Sequence, residues 1–121
     1  MDIVAFRGAI TNESNFIERL EKRNEITTQG ILMNASIALF EAKSMDYRSR
    51  DVSDGITGIG KGEITLISKD SILKKHGTIT SNAQPGFPNH ALLSDINASD
   101  IFILFKNSGV KFSYDPDSIT A

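Results

Sequence analysis

The sequence predicts an α+β domain, a mostly antiparallel sheet with two or three helices on one face. Three observations carry this. Short runs of β-forming residues open and close the chain, polar-capped amphipathic stretches lie between them, and no linker or internal repeat divides the 121 residues. A chain of this length buries about two thirds of its unfolded surface in one core, so residues 1–121 read as a single domain. Apolar residues at 40% and charged residues at 23% are ordinary globular usage.

Asp2 to Arg7 alternate and are rich in Ile, Val and Phe, which predicts an opening strand ended by Gly8. The polar cluster Thr11-Asn12-Glu13-Ser14 follows, and Asn12 or Ser14 can cap a helix whose apolar side is Phe16, Ile17 and Leu20. That helix is expected to end near Asn24. Glu25 to Leu32 fits a short extended piece with a turn at Gly30. In Asn34 to Met45, Ala35, Ile37 and Leu39 alternate as in a strand, while Ala35, Ala38, Ala42 and Met45 recur at helical spacing. Alanine content and a cap at Asn34 favour the helix.

The glycine-rich stretch from Gly55 to Gly62 reads as a surface loop and Glu63 to Ile67 as a strand. Asp70 to His76 reads as a short helix stopped by Gly77, with a short strand at Gly77 to Thr80. Ser81 to Asn89, with its Pro85-Gly86 turn signal, reads as a second loop. Leu92 to Ser99 has candidate caps at Asn97 and Ser99 but no period. Ile101 to Phe105 is apolar on both faces and predicts a central strand. After a turn at Asn107-Ser108-Gly109 it forms a hairpin with Val110 to Tyr114, the strand nearer an edge. The outer backbone of that hairpin could add a strand from a second copy, making a homodimer.

Several function classes drop out of the composition. With no cysteine there is no disulfide, thiolate metal site or cysteine nucleophile. The start of the chain lacks the basic and apolar segments of a secretory signal, and no stretch approaches the ~20 apolar residues that span a bilayer, so a cytoplasmic, non-membrane protein is expected. A net charge of −2 argues against non-specific nucleic-acid binding. No cofactor is expected, and no metal either, since the two histidines have no His-x-x-x-His spacing and no carboxylate is placed by a motif to complete a site.

Four constellations remain. Gly55-x-x-x-x-Gly60-Lys61 has the spacing of a phosphate-binding loop, but Gly62 stands where a hydroxyl residue should hold magnesium, and a strand is expected where a helix should follow. An anion-binding nest through Gly58, Gly60 and Lys61 is the reduced form of that idea. Tyr47, Arg48 and Arg50 combine a stacking ring with guanidinium forks, a pattern suited to phosphates or a base. His76 and His90, with Lys74 and Lys75, offer groups for acid–base cleavage of RNA if the fold brings the histidines together. Finally, Ala5-Phe6-Arg7-Gly8 resembles the opening strand of ADP-ribosyltransferase toxins, which implies that Arg7 would hold NAD phosphates. The resemblance covers four residues. The Ser-Thr-Ser strand and late glutamate of that family have no counterpart, the last glutamate being Glu63.

Two functions are compatible with these residues. One is a small binding or inhibitory module of immunity, anti-defence or regulatory type, which holds a protein partner or a small nucleotide-like ligand. The alternative is a toxin or effector enzyme, either a metal-independent ribonuclease or ADP-ribosyltransferase-like, using His76, His90, Lys74, Lys75 and Arg7.

Overall fold

A computed structural model of the chain describes residues 2–7, 12–41 and 62–114. They form six strands and three helices in the order β1 (Asp2–Arg7), α1 (Glu13–Lys22), β2 (Ala35–Glu41), β3 (Gly62–Ser68), α2 (Lys69–Lys74), β4 (Thr78–Ser81), β5 (His90–Ser94), α3 (Ala98–Ser108) and β6 (Val110–Tyr114). The strands make one sheet of order β4-β5-β2-β1-β3-β6, antiparallel at every pairing. The expected α+β architecture is therefore present.

Side chains alternate across a strand, so register sorts them by face. Val4 is paired with Leu39 and Ile67, and Leu93 with Ala35 and Ile79, which places all six on one face. That face meets the buried sides of the helices, Phe16 and Leu20 of α1, Ile72 of α2, and Ala98, Ile101, Phe102 and Phe105 of α3, in one continuous core. Phe6 reaches across to Phe16 and Phe105 with ring centroids 5.4 and 5.6 Å apart, inclined in the edge-on manner that aromatic quadrupoles favour.

Local chemistry explains the helix ends. Asn12 caps α1 by accepting the Asn15 amide at 2.8 Å, and Asn24, at φ +55°, ends it in a left-handed turn whose following amide, that of Glu25, returns to the Leu20 carbonyl. α2 ends in the same way, but the left-handed residue is His76, at φ +64°, not Gly77. Gly77 is required for a different reason, because a Cβ there would lie 2.5 Å from Cγ2 of the fully buried Ile72. The buried Glu25 carboxylate fixes the entry to β2 by accepting the Ser36 amide at 2.7 Å.

Two expectations are overturned. Asn34 to Met45 is not a helix, because Ala35–Glu41 is strand β2, hydrogen-bonded to β1 and β5 on its two sides. The period-2 pattern of Ala35, Ile37 and Leu39 prevails over alanine propensity, since pairing on both edges outweighs a few tenths of a kcal/mol per residue, on the order of helix-propensity differences. Asn34 caps nothing; its amide donates to Ser94 Oγ at 2.9 Å.

Ile101 to Phe105, in turn, is not a strand and makes no hairpin with β6. It lies within α3, whose cap is Asn97, accepting the Ser99 amide at 2.9 Å. Ala98, Ile101, Phe102 and Phe105 form a helical stripe that is buried, and Ile103, 49% exposed, is what makes the run look apolar on both faces. Gly109 lets the chain leave α3 for β6, since a Cβ there would lie 2.5 Å from Thr65 Cγ2. β6 is a margin strand as expected, but its partner is β3. His90–Ser94 is strand β5, which the sequence reading did not separate from its surroundings.

Truncation of the two isoleucines distinguishes helix from strand at α3. Ile101→Ala should cost about 2–5 kcal/mol in urea denaturation and Ile103→Ala less than about 0.5 kcal/mol, whereas a strand would place both on one face with similar costs.

Candidate functional site

The two halves of the sheet differ on the face opposite the helices. In β1, Ile3 and Ala5 are 1% exposed, and in β3 so are Ile64 and Leu66, so these strands are buried on both sides. In β5 and β2, His90, Leu92, Ser94, Ser36 and Ala38 are only half-buried, and in β4 Thr78 and Thr80 are exposed. Register sets these residues in rows, Ala38 beside His90, Ser36 beside Leu92 beside Thr80, and Ser94 beside Thr78. The result is a partly exposed patch, mostly of small side chains, with one imidazole and one leucine among them.

The proline loop rims the patch. Gln84 and Phe87 exchange backbone hydrogen bonds of 3.1 and 2.8 Å around Pro85-Gly86, with Gly86 at φ +81°. Proline followed by a glycine of positive φ fits a type II turn. The Phe87 carbonyl also accepts the His90 amide at 3.2 Å, and the Asn82 amide donates to the His90 carbonyl at 3.0 Å. Gln84 Nε2 donates to Asn82 Oδ1 at 2.9 Å. Phe87 is thus 45% exposed on a backbone that is fixed from both sides.

His90 Nδ1 lies 3.2 Å from the Asn82 backbone oxygen and 3.4 Å from Asn82 Nδ2. Both contacts hold the ring against the start of the proline loop.

The sequence-derived candidates are scattered. Lys74 ends α2, Lys75 follows it, and His76 is the exposed left-handed residue next in line, all at the Thr78 end of β4. His90 sits at the other end, because Thr78 pairs with Ser94 and Asn82 bonds to His90. Four residues of strand, about 13 Å at ~3.3 Å per residue, lie between those two levels, so the fold does not bring His76 and His90 together. Arg7 is the last residue of β1, paired with Ile64. Tyr47, Arg48, Arg50, Gly58, Gly60 and Lys61 lie outside the described residues; the segment that follows them, Gly62–Ser68, is strand and not the helix a phosphate-binding loop requires.

Among the described residues no group of three or more His, Asp or Glu side chains could hold a metal ion, and no helix is long and apolar enough to cross a membrane. A cavity of about 190 Å³ lies elsewhere, lined by Ile3, Leu66 and Val110 and by Ser68, Ser71 and Ser108. No protein-family model, curated protein or solved structure matches the chain.

Phe87, Thr80, Leu92 and Ser36, part of this candidate site, are not singled out by sequence reasoning. The available signals were the Gln84-Pro85-Gly86-Phe87 turn and the alternation of His90 to Ser94.

The left-handed backbone at His76 gives that residue a structural part that can be measured. His76→Gly should raise stability by about 1 kcal/mol in chemical denaturation, because the cost of a Cβ at positive φ is removed.

Proposed function

We propose that this chain is a binding module which recognises a protein partner through the open patch of β4, β5 and β2 and the proline loop. The supporting observation is the contrast across one sheet face, where β1 and β3 are sealed and the adjoining strands are left open beside an exposed phenylalanine on a preorganised turn. Aromatic side chains held on rigid backbone make efficient interface anchors, since little freedom is lost when they are covered.

The small side chains of the patch favour a protein over a nucleotide-like ligand. Small-molecule sites are concave and enclose most of the ligand, whereas side chains as short as Ser36, Ala38, Thr78 and Thr80 project little from the sheet. Among these residues Phe87 is of the type enriched at protein interfaces, and the surrounding hydroxyls suit a polar, solvent-accessible rim. An immunity, inhibitory or regulatory role is the functional class we assign to such a module.

The chain should form a stoichiometric complex with a protein from its own cell. Phe87→Ala should weaken that complex by about 1–2 kcal/mol or more in calorimetric titration, with its melting temperature unchanged. Thermal shifts with NAD, ADP-ribose, cyclic dinucleotides and RNA supply the opposing test. A ligand at a hundred times its dissociation constant adds about 2.7 kcal/mol, and such a shift would replace the protein partner with a nucleotide.

A further inference from the structure

β4 is an outer strand, and one hydrogen bond fixes its phase. The Asn82 amide donates to the His90 carbonyl at 3.0 Å, on the same register that sets Thr80 against Leu92 and Thr78 against Ser94. Antiparallel ladders alternate bonded and non-bonded pairs. Asn82, Thr80 and Thr78 therefore bond inward to β5, and Ile79 and Ser81 turn their amides and carbonyls outward, where no described residue meets them. Outer strands are commonly protected by shortness, proline, charge, a bulge or a cover, and of these β4, with four residues, has shortness. The sequence Thr78-Ile79-Thr80-Ser81 has no proline and no charge, and its register with β5 is unbroken.

We infer that β4 pairs antiparallel with β4 of a second copy, about a two-fold axis at Thr80. With the axis there, Ile79 of each copy opposes Ser81 of the other, so both outward residues fall into bonded pairs and every outward group on the strand finds a partner. An axis at Ile79 or at Ser81 satisfies only one such pair within the strand. The arrangement is also free of charge conflict. Lys74 and Lys75, at the Thr78 end of one copy, come beside the partner's proline loop, and Asn82 to Asn89 contains no charged residue. A parallel pairing would instead set the lysines of the two copies together. The two-fold pairing joins two six-stranded sheets and makes the two open patches continuous across the axis. It stands independently of what those patches bind.

Because the chain has no cysteine, a single introduced one reports the register. Thr80 and its symmetry mate would form a non-bonded antiparallel pair with Cα atoms ~4.5 Å apart, within disulfide range. Thr78 and its mate would be separated by about four residues of strand, roughly 13 Å, out of range. Both side chains are exposed, so neither substitution disturbs the core.

Under mild oxidation Thr80→Cys should become a covalent dimer about tenfold or more faster than Thr78→Cys, because pairing raises the effective concentration of one thiol at the other. In sedimentation equilibrium the wild-type chain should approach twice its 13.2 kDa mass. Ser81→Pro, which deletes an outward amide but no bond to β5, should return it to the monomer with an unchanged circular dichroism spectrum. A wild-type monomer at all concentrations, equal oxidation rates for the two cysteine variants, or faster coupling at position 78 would each overturn the inference. Thr80→Lys, which would oppose two ammoniums across the axis, checks the result without proline: its mass should fall to that of the monomer, and an undiminished dimer would count against the pairing.

Discussion

Double-sided burial of β1 and β3 is the constraint on which the rest of the molecule depends. Ile3, Val4 and Ala5 are consecutive and at most 1% exposed, and Ile64 to Ile67 are consecutive and at most 3% exposed. A strand can hide successive residues only if both faces of the sheet are covered there. Strand β1 is also hydrogen-bonded on both edges, to β2 and to β3, so the first residues of the chain form the spine of the sheet. The helices are arranged about that spine, with Phe6 joining α1 and α3 through its ring contacts.

Away from the spine the requirement relaxes, and the relaxation is what leaves the candidate site exposed. Strands β2 and β5 bury one face under the helices and leave the other half open, and β4 leaves an edge as well. A sheet sealed throughout would present only loops, whereas this one presents a patch, a rim and an edge on neighbouring strands. The polar residues of the loop are spent on fixing its own geometry, as Asn82, Gln84 and His90 bond to each other and to the backbone. That leaves Phe87 as the exposed apolar group of this loop, on a stiff support.

The sheet and the first helix were legible in the sequence where local pattern and tertiary demand agree. Asp2 to Arg7, Asn12 to Asn24, Glu63 to Ile67 and Val110 to Tyr114 all appear where capping and β-propensity place them. The two errors arise where local composition blurs a period. Ile103 fills the polar side of α3 and hides the stripe of Ala98, Ile101, Phe102 and Phe105. The alanines of β2 imitate helix propensity in a segment that is held by two neighbouring strands. The candidate site was hardly legible, because it consists of half-covered strand residues whose role depends on what the opposite half of the sheet buries. Histidines and lysines attract notice by type, yet the β4–β5 register sends His76 and His90 to opposite ends.

Native-state hydrogen exchange of the β1 amides tests the central claim most directly. If β1 is the doubly covered spine, Val4, Ala5 and Phe6 should exchange only through global unfolding, with a free energy equal to that from urea denaturation. Exchange of these amides at markedly lower free energy, through detachment of the N-terminal strand while the remaining sheet stays protected, would contradict it.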